Sequence, residues 1–540
     1  MNRLPSTAFG TGKRLGMMWL KVLVLVTLVL AAAVIAIRLS ARLPSLDGRS
    51  ESSAFVDTAD TAIGRAVAAS LAAHPGLAGV HLLDDGHDAL AARILLARAA
   101  ERSIDAQYYI WHGDITGTML FEELRAAAER GVRVRLLQDD NTTYGLDETL
   151  AALDAHPNIE VRLFNPFVLR SPRWVGYVTD FPRLNRRMHN KSFTVDNQAT
   201  IVGGRNVGDE YFGAGDGSHF VDLDVLTIGP VVNEVSSDFD RYWASASSYP
   251  AERILPRVPA ARLDGIHAAA QRLMQSPAAQ RYVDVLQQRP IIARLSESSL
   301  PMYWSPVRMV SDDPAKALGR APREGLLIAR LDRLLDRPAH RLQLVSGYFV
   351  PTAKGVDAFT AMAGRGMRVE IVTNAVEATD VPIVHAGYAK HRKALLEAGV
   401  ALWELRSEAG AFSPRDAGGG ARAGSVIGSS SSALHAKTFV IDGERAFIGS
   451  FNFDPRSAHL NTELGFVIAS RELAQTMSAL LDATAPLIAY QLRLSDEGNL
   501  IWIERRADGS EVYHDGEPGT TFWGRTTVAF FSILPIDWLL

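Results

Sequence analysis

The chain contains no cysteine among its 540 residues. This absence excludes disulfide bonds, catalysis by a thiolate, metal sites built on cysteine and lipidation of an N-terminal cysteine. It also fits an extracytoplasmic location, without requiring one.

The chain also lacks a strong excess of either charge. Its formal net charge is -4, and charged residues make up 21% of the composition. A protein with this balance has no overall attraction for nucleic acid, so any basic surface must be local. The 47% hydrophobic content indicates a folded protein. A chain of 540 residues is longer than the domains that form around a single hydrophobic core. Two domains, or two lobes of a repeat, are therefore expected.

A long hydrophobic run occurs near the N-terminus. Residues 17–37 are apolar except for Lys21 and Thr27, which is long enough for one membrane crossing. A cleaved signal peptide is the alternative. The small residues 31–33, which could form its cleavage site, lie inside the apolar run, so an uncleaved membrane anchor that comprises residues 1–42 is favoured. Basic residues precede the run, although Arg38 and Arg42 follow it. Because the basic residues before the run favour a cytoplasmic N-terminus, we expect a catalytic region outside the inner membrane of a bacterium.

One stretch in the second half carries the chemistry. His435, Lys437 and Asp442 are spaced as H-x-K-x4-D, and the alternating residues around them predict a strand that places His435 and Lys437 on one face. An imidazole beside an ammonium suits a phosphate ester. The imidazole can attack phosphorus or protonate a leaving oxygen while the cation holds the other oxygens.

The same pattern occurs in the first half as His189, Lys191 and Asp196. In both copies a Gly-x-x-Asn sequence follows at the same distance and ends at Asn206 or Asn452. A single copy would be ambiguous, because His and Lys on a solvated strand face are common. Two extended copies with one spacing indicate a catalytic site.

The elements around the two motifs repeat as well. Strands are predicted at 103–111, 132–137 and 159–164 with helices between them, and the strand–helix–strand order returns at 341–372. We therefore predict an α/β fold in which a mixed sheet flanked by helices is duplicated about a pseudo-twofold axis, with an N-terminal transmembrane helix. The predicted domains are a membrane anchor over residues 1–42, a first half over 80–245, a connecting helical segment over 246–320, a second half over 321–490 and a C-terminal membrane-proximal segment over 491–540.

Three further stretches allow more than one interpretation. The His and Asp residues between 81 and 88 look like metal ligands, but they precede an apolar periodic run, so a capped helix is the better interpretation. The Gly/Ser-rich segment 409–432 could close over the site or be a slack surface loop. The Trp/Phe-rich end 522–540 could lie at a membrane interface or dock onto the protein.

The paired motifs resemble those of the phospholipase D superfamily, and the resemblance covers nearly the whole chain. The longer strings NRRMHNKSF (185–193), VGGRNVGDEYF (202–212) and DLDV (222–225) are similar to bacterial cardiolipin synthases of the C type. In that superfamily one histidine forms a phosphohistidine and the other protonates the departing alcohol.

The resemblance implies a role for each residue. His189 would be the nucleophile and His435 the acid and base, while Lys191 and Lys437 bind the phosphate. Asn206 and Asn452 would add hydrogen bonds to the substrate. The resemblance further implies a carboxylate for each histidine, Glu463 and Asp222, and makes Asp196 and Asp442 structural members of the catalytic motifs. Gly204 stands where the second half has Ser450, which removes a hydroxyl from the phosphate region.

The function that the resemblance implies is a phosphatidyltransferase. It would make cardiolipin from phosphatidylglycerol and a second phospholipid, phosphatidylethanolamine or phosphatidylglycerol. The alternatives are a phospholipase D or nuclease that hydrolyses through the same intermediate, and a non-catalytic membrane scaffold, which two intact motifs disfavour. No cofactor or metal is expected, because lysines and imidazoles supply the positive charge. The expected partners are phospholipids and the membrane, not nucleic acid, with room for a small accessory protein of unknown identity.

Overall fold

A computed structural model describes most of the chain. The described residues are 9–214, 219–259, 261–334, 339–379, 381–407, 432–506, 508–520 and 531–532. The predicted loop at 409–432 therefore lies outside the described residues except for residue 432, and the C-terminal stretch lies outside them except for 531–532.

The strands belong to two large sheets and one small one. In chain order they are β1 (Ala78–Leu83), β2 (Ser103–Tyr108), β3 (Arg133–Asp139), β4 (Ile159–Phe164), β5 (Ser192–Val195), β6 (Ala199–Gly203), β7 (His219–Val221), β8 (Asp224–Ile228), β9 (Ser248–Pro250), β10 (Tyr303–Ser305), β11 (Val307–Ser311), β12 (Arg341–Ser346), β13 (Arg368–Asn374), β14 (Ala401–Leu405), β15 (Ser432–Leu434), β16 (Lys437–Ile441), β17 (Arg445–Gly449), β18 (Leu464–Ile468), β19 (Ala489–Leu494), β20 (Leu500–Arg505) and β21 (Glu511–His514).

Helices cover the sheets and connect the strands. In chain order they are α1 (Phe9–Ser40), α2 (Ala62–Ala73), α3 (Gly86–Ala99), α4 (Ile115–Glu129), α5 (Asp147–Asp154), α6 (Trp174–Leu184), α7 (Asp209–Phe212), α8 (Val231–Trp243), α9 (Ala261–Met274), α10 (Pro277–Gln287), α11 (Pro290–Ser296), α12 (Leu327–Leu334), α13 (Thr352–Gly364), α14 (Pro382–Ala389), α15 (Arg392–Glu397), α16 (Pro455–His459) and α17 (Arg471–Ile488).

The two large sheets repeat one strand order. The first runs β10-β1-β8-β6-β5-β2-β3-β4-β9, and the second runs β11-β18-β17-β16-β12-β13-β14-β19-β20-β21. In each sheet the three strands joined by helices, β2-β3-β4 and β12-β13-β14, are parallel, whereas the motif strands β5 and β16 pair antiparallel beside them. The prediction of an α/β fold with two repeated lobes is confirmed.

The lobes pack against each other through the antiparallel halves of their sheets. One hydrophobic core cluster contains Val202 and Val225 from the first lobe together with Ile448 and Phe466 from the second. Between β10 and β11 the chain passes from one sheet to the other across Pro306 alone. The motif strands therefore lie near one shared interface.

The N-terminal helix carries the span expected from the sequence. Its segment Met17–Ser40 is long and apolar enough to cross a membrane, and none of it is buried inside the protein. After α1 the chain crosses the outer face of the first sheet. Ser50 and Ser52 accept hydrogen bonds there from Arg162 and Arg135. The segment that follows the candidate span is thus bound directly to the first lobe.

Some local predictions differ from the structure. The motif strands begin at Ser192 and Lys437, so both histidines precede their strands. The second sheet continues through β19, β20 and β21, so the segment predicted from residue 491 starts inside a strand. Around residue 85 the helix interpretation holds, because Asp85 caps α3 by accepting hydrogen bonds from the N–H groups of His87 and Asp88.

Candidate active site

His189 is fixed by backbone pairing with the other lobe. Its N–H donates to the carbonyl of Thr462 at 2.8 Å, and the N–H of Thr462 donates to the carbonyl of Arg187 at 2.9 Å. The next residue after Thr462 is Glu463, whose Oε2 lies 2.8 Å from Nδ1 of His189. The carboxylate that orients the first histidine therefore comes from the second lobe.

His435 is held in the reciprocal way. Its N–H donates to the carbonyl of Val221 at 2.8 Å, where β15 runs parallel to β7 of the first lobe. Asp222 follows Val221, and its Oδ2 lies 2.5 Å from Nδ1 of His435. Each histidine is thus oriented by the carboxylate of the opposite lobe, and neither lobe contains a complete set.

Both lysines lie in the same buried space. Lys191 Nζ donates to the carbonyl oxygen of His189 at 2.6 Å, and Lys437 Nζ donates to that of His435. The two ammonium groups each contribute to lowering the pKa of both histidines, as does His435 for His189, which shows that the groups converge on one site. Four groups that can carry positive charge suit a phosphate ester.

Burial dominates the proton affinities in the site. It lowers the pKa of His189 well below its usual range, and the charges of Lys191 and Lys437 lower it further. Burial also lowers the pKa of Lys191 to about 7, although the nearby Glu463 opposes this shift. The pKa of Glu463 is raised by burial to about 7. A neutral His189 with Nδ1–H directed at Glu463 keeps its lone pair on Nε2.

The carboxylate of Asp222 behaves differently from Glu463. Burial alone would raise the pKa of Asp222, but the charge and hydrogen bond of His435, together with Lys437, bring it below its usual range. Asp222 is therefore ionised at neutral pH. The pKa of His435 is lowered by burial and by Lys437, while Asp222 acts in the opposite direction.

The Gly204/Ser450 difference has a steric cause. A Cβ atom on Gly204 would lie 2.1 Å from Oδ1 of Asp222, so only glycine lets this short carboxylate occupy its place. Ser450 instead donates its hydroxyl to Glu463 at 2.5 Å. The hydroxyl of Ser450, which was expected near the phosphate, is thus hydrogen-bonded to the carboxylate of Glu463.

The two predicted substrate-binding asparagines are both buried but differ in their contacts. Asn206 accepts a hydrogen bond from the N–H of Ile110 at 3.1 Å and donates to the hydroxyl of Tyr211 at 2.9 Å. The side-chain oxygen of Asn452 is buried without a hydrogen-bond partner. A buried amide oxygen without a partner is unfavourable, and a donor on a bound substrate would satisfy it.

Asp196 and Asp442 lie at the far ends of the motif strands. Asp196 accepts hydrogen bonds from the N–H groups of residues 101–103, and Asp442 does the same with residues 339–341. Both aspartates have a left-handed backbone, with φ of 50° and 54°. These carboxylates join each motif strand to its neighbour and contact neither His189 nor His435.

Aromatic side chains that sequence reasoning missed line the site. The Tyr109 ring lies 5.1 Å from the His189 ring, edge to face. Tyr211 and Phe220 lie 5.2 Å and 5.1 Å from His435, and Tyr348 lies 6.4 Å away. The sequence contains a repeated signal for two of them, because Tyr109 follows β2 and Tyr348 follows the corresponding strand β12.

A second missed pair supports the backbone that precedes each histidine. At the end of β3, Asp139 accepts a hydrogen bond from the N–H of Met188 at 2.8 Å and binds Arg187. At the end of β13, Asn374 accepts from the N–H of Leu434 at 2.7 Å. These positions correspond in the two sheets, so the repeat extends beyond the motifs.

One group outside the histidine site has the composition of a metal site. The side-chain ligand atoms of His112, Asp114 and Glu210 lie within 4.8 Å of one another. Asp114, however, already accepts hydrogen bonds from the N–H groups of Gly117 and Asp209. His112 and Glu210 are paired at 3.1 Å.

Comparison with known proteins agrees with this geometry. The family model described as "Cardiolipin synthase, PLD-like domain" matches residues 94–243 and 331–484, one match per lobe. Cardiolipin synthase C of Escherichia coli (strain K12) is 49% identical over 467 residues, which cover 86% of this chain and 97% of that protein. Cardiolipin synthase B of Shigella flexneri is 24% identical, over 77% of this chain and 82% of its own length.

Among solved structures, phosphatidylserine synthase from Haemophilus influenzae Rd KW20 shares the fold. It superimposes with a TM-score of 0.51 and 13% identity, over 88% of this chain and 100% of that one. The repeated lobes, the family match over both of them and the 49% identical relative lead to one conclusion. The chain is an enzyme of the phospholipase D superfamily and belongs to its cardiolipin synthase family.

Proposed function

We propose that the protein is a membrane-anchored phosphatidyltransferase that makes cardiolipin. It joins a phosphatidyl group to phosphatidylglycerol and takes that group from phosphatidylethanolamine or from a second phosphatidylglycerol. The observation that carries the proposal is the crossed pairing of His189 with Glu463 and of His435 with Asp222 beside two buried lysines. The relatives named cardiolipin synthase supply the substrate class.

The reaction has two steps. In the first, Nε2 of His189 attacks phosphorus, the bond from phosphorus to the head-group oxygen breaks, and His435 gives that oxygen a proton. In the second, His435 takes a proton from a hydroxyl of phosphatidylglycerol, whose oxygen attacks phosphorus and breaks the bond to His189. Lys191 and Lys437 bind the non-bridging oxygens in both steps.

The carboxylates support this division of roles. Ionised Asp222 stabilises a protonated His435, which suits the acid of the first step. Burial keeps the pKa of Glu463 at about 7, so Glu463 carries less negative charge at neutral pH and favours a neutral His189. A neutral imidazole is the nucleophilic form.

Catalysis on the outer side of a bacterial inner membrane is part of the proposal. The span Met17–Ser40 supports a single anchor, and the basic residues before it favour an N-terminus that stays in the cytoplasm.

A lipid assay tests the function. Full-length protein in detergent receives phosphatidylglycerol with and without phosphatidylethanolamine, and cardiolipin, phosphatidic acid and released head group are followed together. Ethanolamine release in step with cardiolipin identifies phosphatidylethanolamine as donor, whereas cardiolipin and glycerol from phosphatidylglycerol alone identify the other donor. His189→Ala and His435→Ala are the inactive controls. Phosphatidic acid without cardiolipin would overturn transfer in favour of hydrolysis.

A further inference from the structure

The outer face of α6 is apolar and exposed to solvent. Trp174 and Val178 lie four residues apart on one side of the helix and are 65% and 57% exposed, and Phe181, which follows a kink at Asp180, is 40% exposed. The other exposed residues between 171 and 182 are a serine and two prolines. An apolar surface of this kind marks an interaction site more often than a free surface.

The charged residues of this segment do not reach that face. Arg173 is half-buried and donates to Asp147 at 3.0 Å. Arg183 and Asp180 are also half-buried and pair with each other at 2.5 Å. The exposed side of α6 is therefore uncharged, while the charges nearby are neutralised against the protein.

The position of α6 indicates what covers this face. Helix α6 lies against α1, the membrane-span candidate. Tyr144, which is largely exposed, follows Thr143, whose hydroxyl accepts a hydrogen bond from Arg173, so a second amphipathic aromatic lies close to Trp174. Tryptophan and tyrosine favour the boundary between water and the acyl chains of a bilayer.

One side chain of α6, the half-buried Tyr177, leads to the reacting histidine. Tyr177 donates to the side-chain oxygen of Asn141, and the amide of Asn141 donates to the hydroxyl of Tyr109 at 3.1 Å. Tyr109 in turn contacts His189. The helix packs closely on the segment before it, because a Cβ atom on Gly176 would lie 3.1 Å from the ring of Phe167.

We propose that the outer face of α6 inserts into the bilayer interface beside α1. Trp174, Val178 and Phe181 lie among the lipid head groups and the first acyl carbons, while the half-buried Tyr177 donates to Asn141 on the way to the site. A phospholipid then presents its phosphate to His189 while its chains stay in the bilayer. The occupant of this face is a lipid surface. Only the statement about the substrate rests on the proposed function.

The absence of cysteine makes a direct test simple. Val178→Cys is labelled with an environment-sensitive fluorophore in the full-length protein and reconstituted into phosphatidylglycerol/phosphatidylethanolamine nanodiscs. Val56→Cys is the matched control. Val56 is 91% exposed, and the carbonyl of its neighbour Phe55 accepts a hydrogen bond from Asn197 in the turn between β5 and β6, at the end of β5 away from His189. Insertion predicts that only the Val178 label shifts to shorter emission wavelengths and is quenched by lipids that carry nitroxides on their acyl chains. An unshifted, unquenched label at Val178 would overturn the proposal.

A second test uses activity. Trp174→Ser with Phe181→Ser removes much of the insertion energy, so turnover of long-chain lipid in vesicles should fall by about tenfold or more. Turnover of a short-chain phospholipid dissolved as monomers should stay near that of the wild type. Tyr513→Ser, at an exposed aromatic on β21, is the control and should leave both rates unchanged.

The outcomes separate the two proposals. An equal loss of turnover on both substrates would show that α6 supports the site rather than the membrane contact. A wild-type protein that makes no cardiolipin from either substrate would contradict the proposed function, while the fluorescence experiment would still decide on insertion.

Discussion

At the scale of single residues, the space beside Asp222 is tightly constrained. A Cβ atom on Gly204 would lie 2.1 Å from Oδ1 of Asp222. Gly204→Ala should therefore displace Asp222 from His435 and lower turnover by about 10- to 100-fold, the usual effect of losing an orienting partner. Steady-state rates with a thermal melt measure both activity and folding.

Ser450→Ala is the control for this prediction, because it changes the corresponding position without a steric clash. Its turnover should fall less, since Glu463 loses one donor and keeps its contact with His189. A Gly204→Ala enzyme as active as the wild type would contradict the steric account.

Glu463 predicts a pH dependence of stability. Its pKa rises from 4.5 in the unfolded chain to about 7 in the folded one, because the carboxylate is buried. Folding therefore favours its protonated form, and this favourable contribution is lost as the pH rises from about 4.5 through about 7. Glu463→Gln lacks this titration. Its melting temperature relative to the wild type should increase between about pH 5 and about pH 8.

Asp222→Asn provides the contrast. The pKa of Asp222 lies below its usual range, so this carboxylate stays ionised across the same interval and the variant should show no such increase. A Glu463→Gln curve parallel to the wild type would show that Glu463 does not titrate there.

At the scale of elements, the turns after β16 and β5 join the motif strands to their sheets. Asp442 accepts three backbone N–H groups from residues 339–341. Asp442→Asn should therefore lower the free energy of unfolding by about 1–3 kcal/mol. Turnover per folded molecule should stay close to that of the wild type, because this side chain does not contact His435. Asp496→Asn, at an exposed carboxylate, is the control.

The pKa of Asp442 determines how the stability of the protein changes at acid pH. Burial alone would raise the pKa of Asp442, but the backbone N–H groups lower it below 3.8. The stabilisation is complete above the unfolded pKa and is lost as the pH falls through the folded value. As the pH falls below 3.8, the melting temperature of Asp442→Asn should therefore vary less than that of the wild type. Full stability with lost turnover would instead place Asp442 in the chemistry.

The elements with local signals were predicted well from the sequence. The strand at 159–164 has the bounds that its pattern indicates, and α4 and α5 lie between the first three predicted strands as expected. The motif strands were predicted too long. The backbone around His189 and His435 pairs with Thr462 and Val221 of the opposite lobe, and periodicity along one segment carries no information about such distant partners.

The crossed carboxylates could not be predicted for the same reason. The resemblance implies that Asp222 and Glu463 belong to the site, but not which histidine each one orients. The arginine-rich stretch at 183–187 shows another limit. The sequence around Arg187 does not indicate that this side chain is buried and bound to Asp139.

At the scale of the whole molecule, crossed pairing makes the two lobes one enzyme. Glu463 of the second lobe orients His189 of the first, and Asp222 of the first orients His435 of the second. Duplication of a single lobe therefore produced one site at the interface. A change in how the lobes pack would disturb the contacts of both histidines with their carboxylates at the same time.

The anchor predicts a property of the intact protein. If the span Met17–Ser40 remains on the mature chain, the mass of the purified membrane-extracted protein should include it and the protein should resist release by alkaline carbonate. A mature N-terminus near residue 40 would show that the helix is a signal peptide.

The most direct test of the central claim is to trap the covalent intermediate on one histidine. A phosphatidyl ester of p-nitrophenol has a leaving group that needs no proton, so His435→Ala should still complete the first step. The account predicts one burst of nitrophenolate per enzyme and a phosphatidyl adduct mapped to His189 by mass spectrometry, with neither in His189→Ala. An adduct on His435 in the reciprocal variant would reverse the roles. Absence of both burst and adduct in the two variants would contradict the phosphohistidine mechanism.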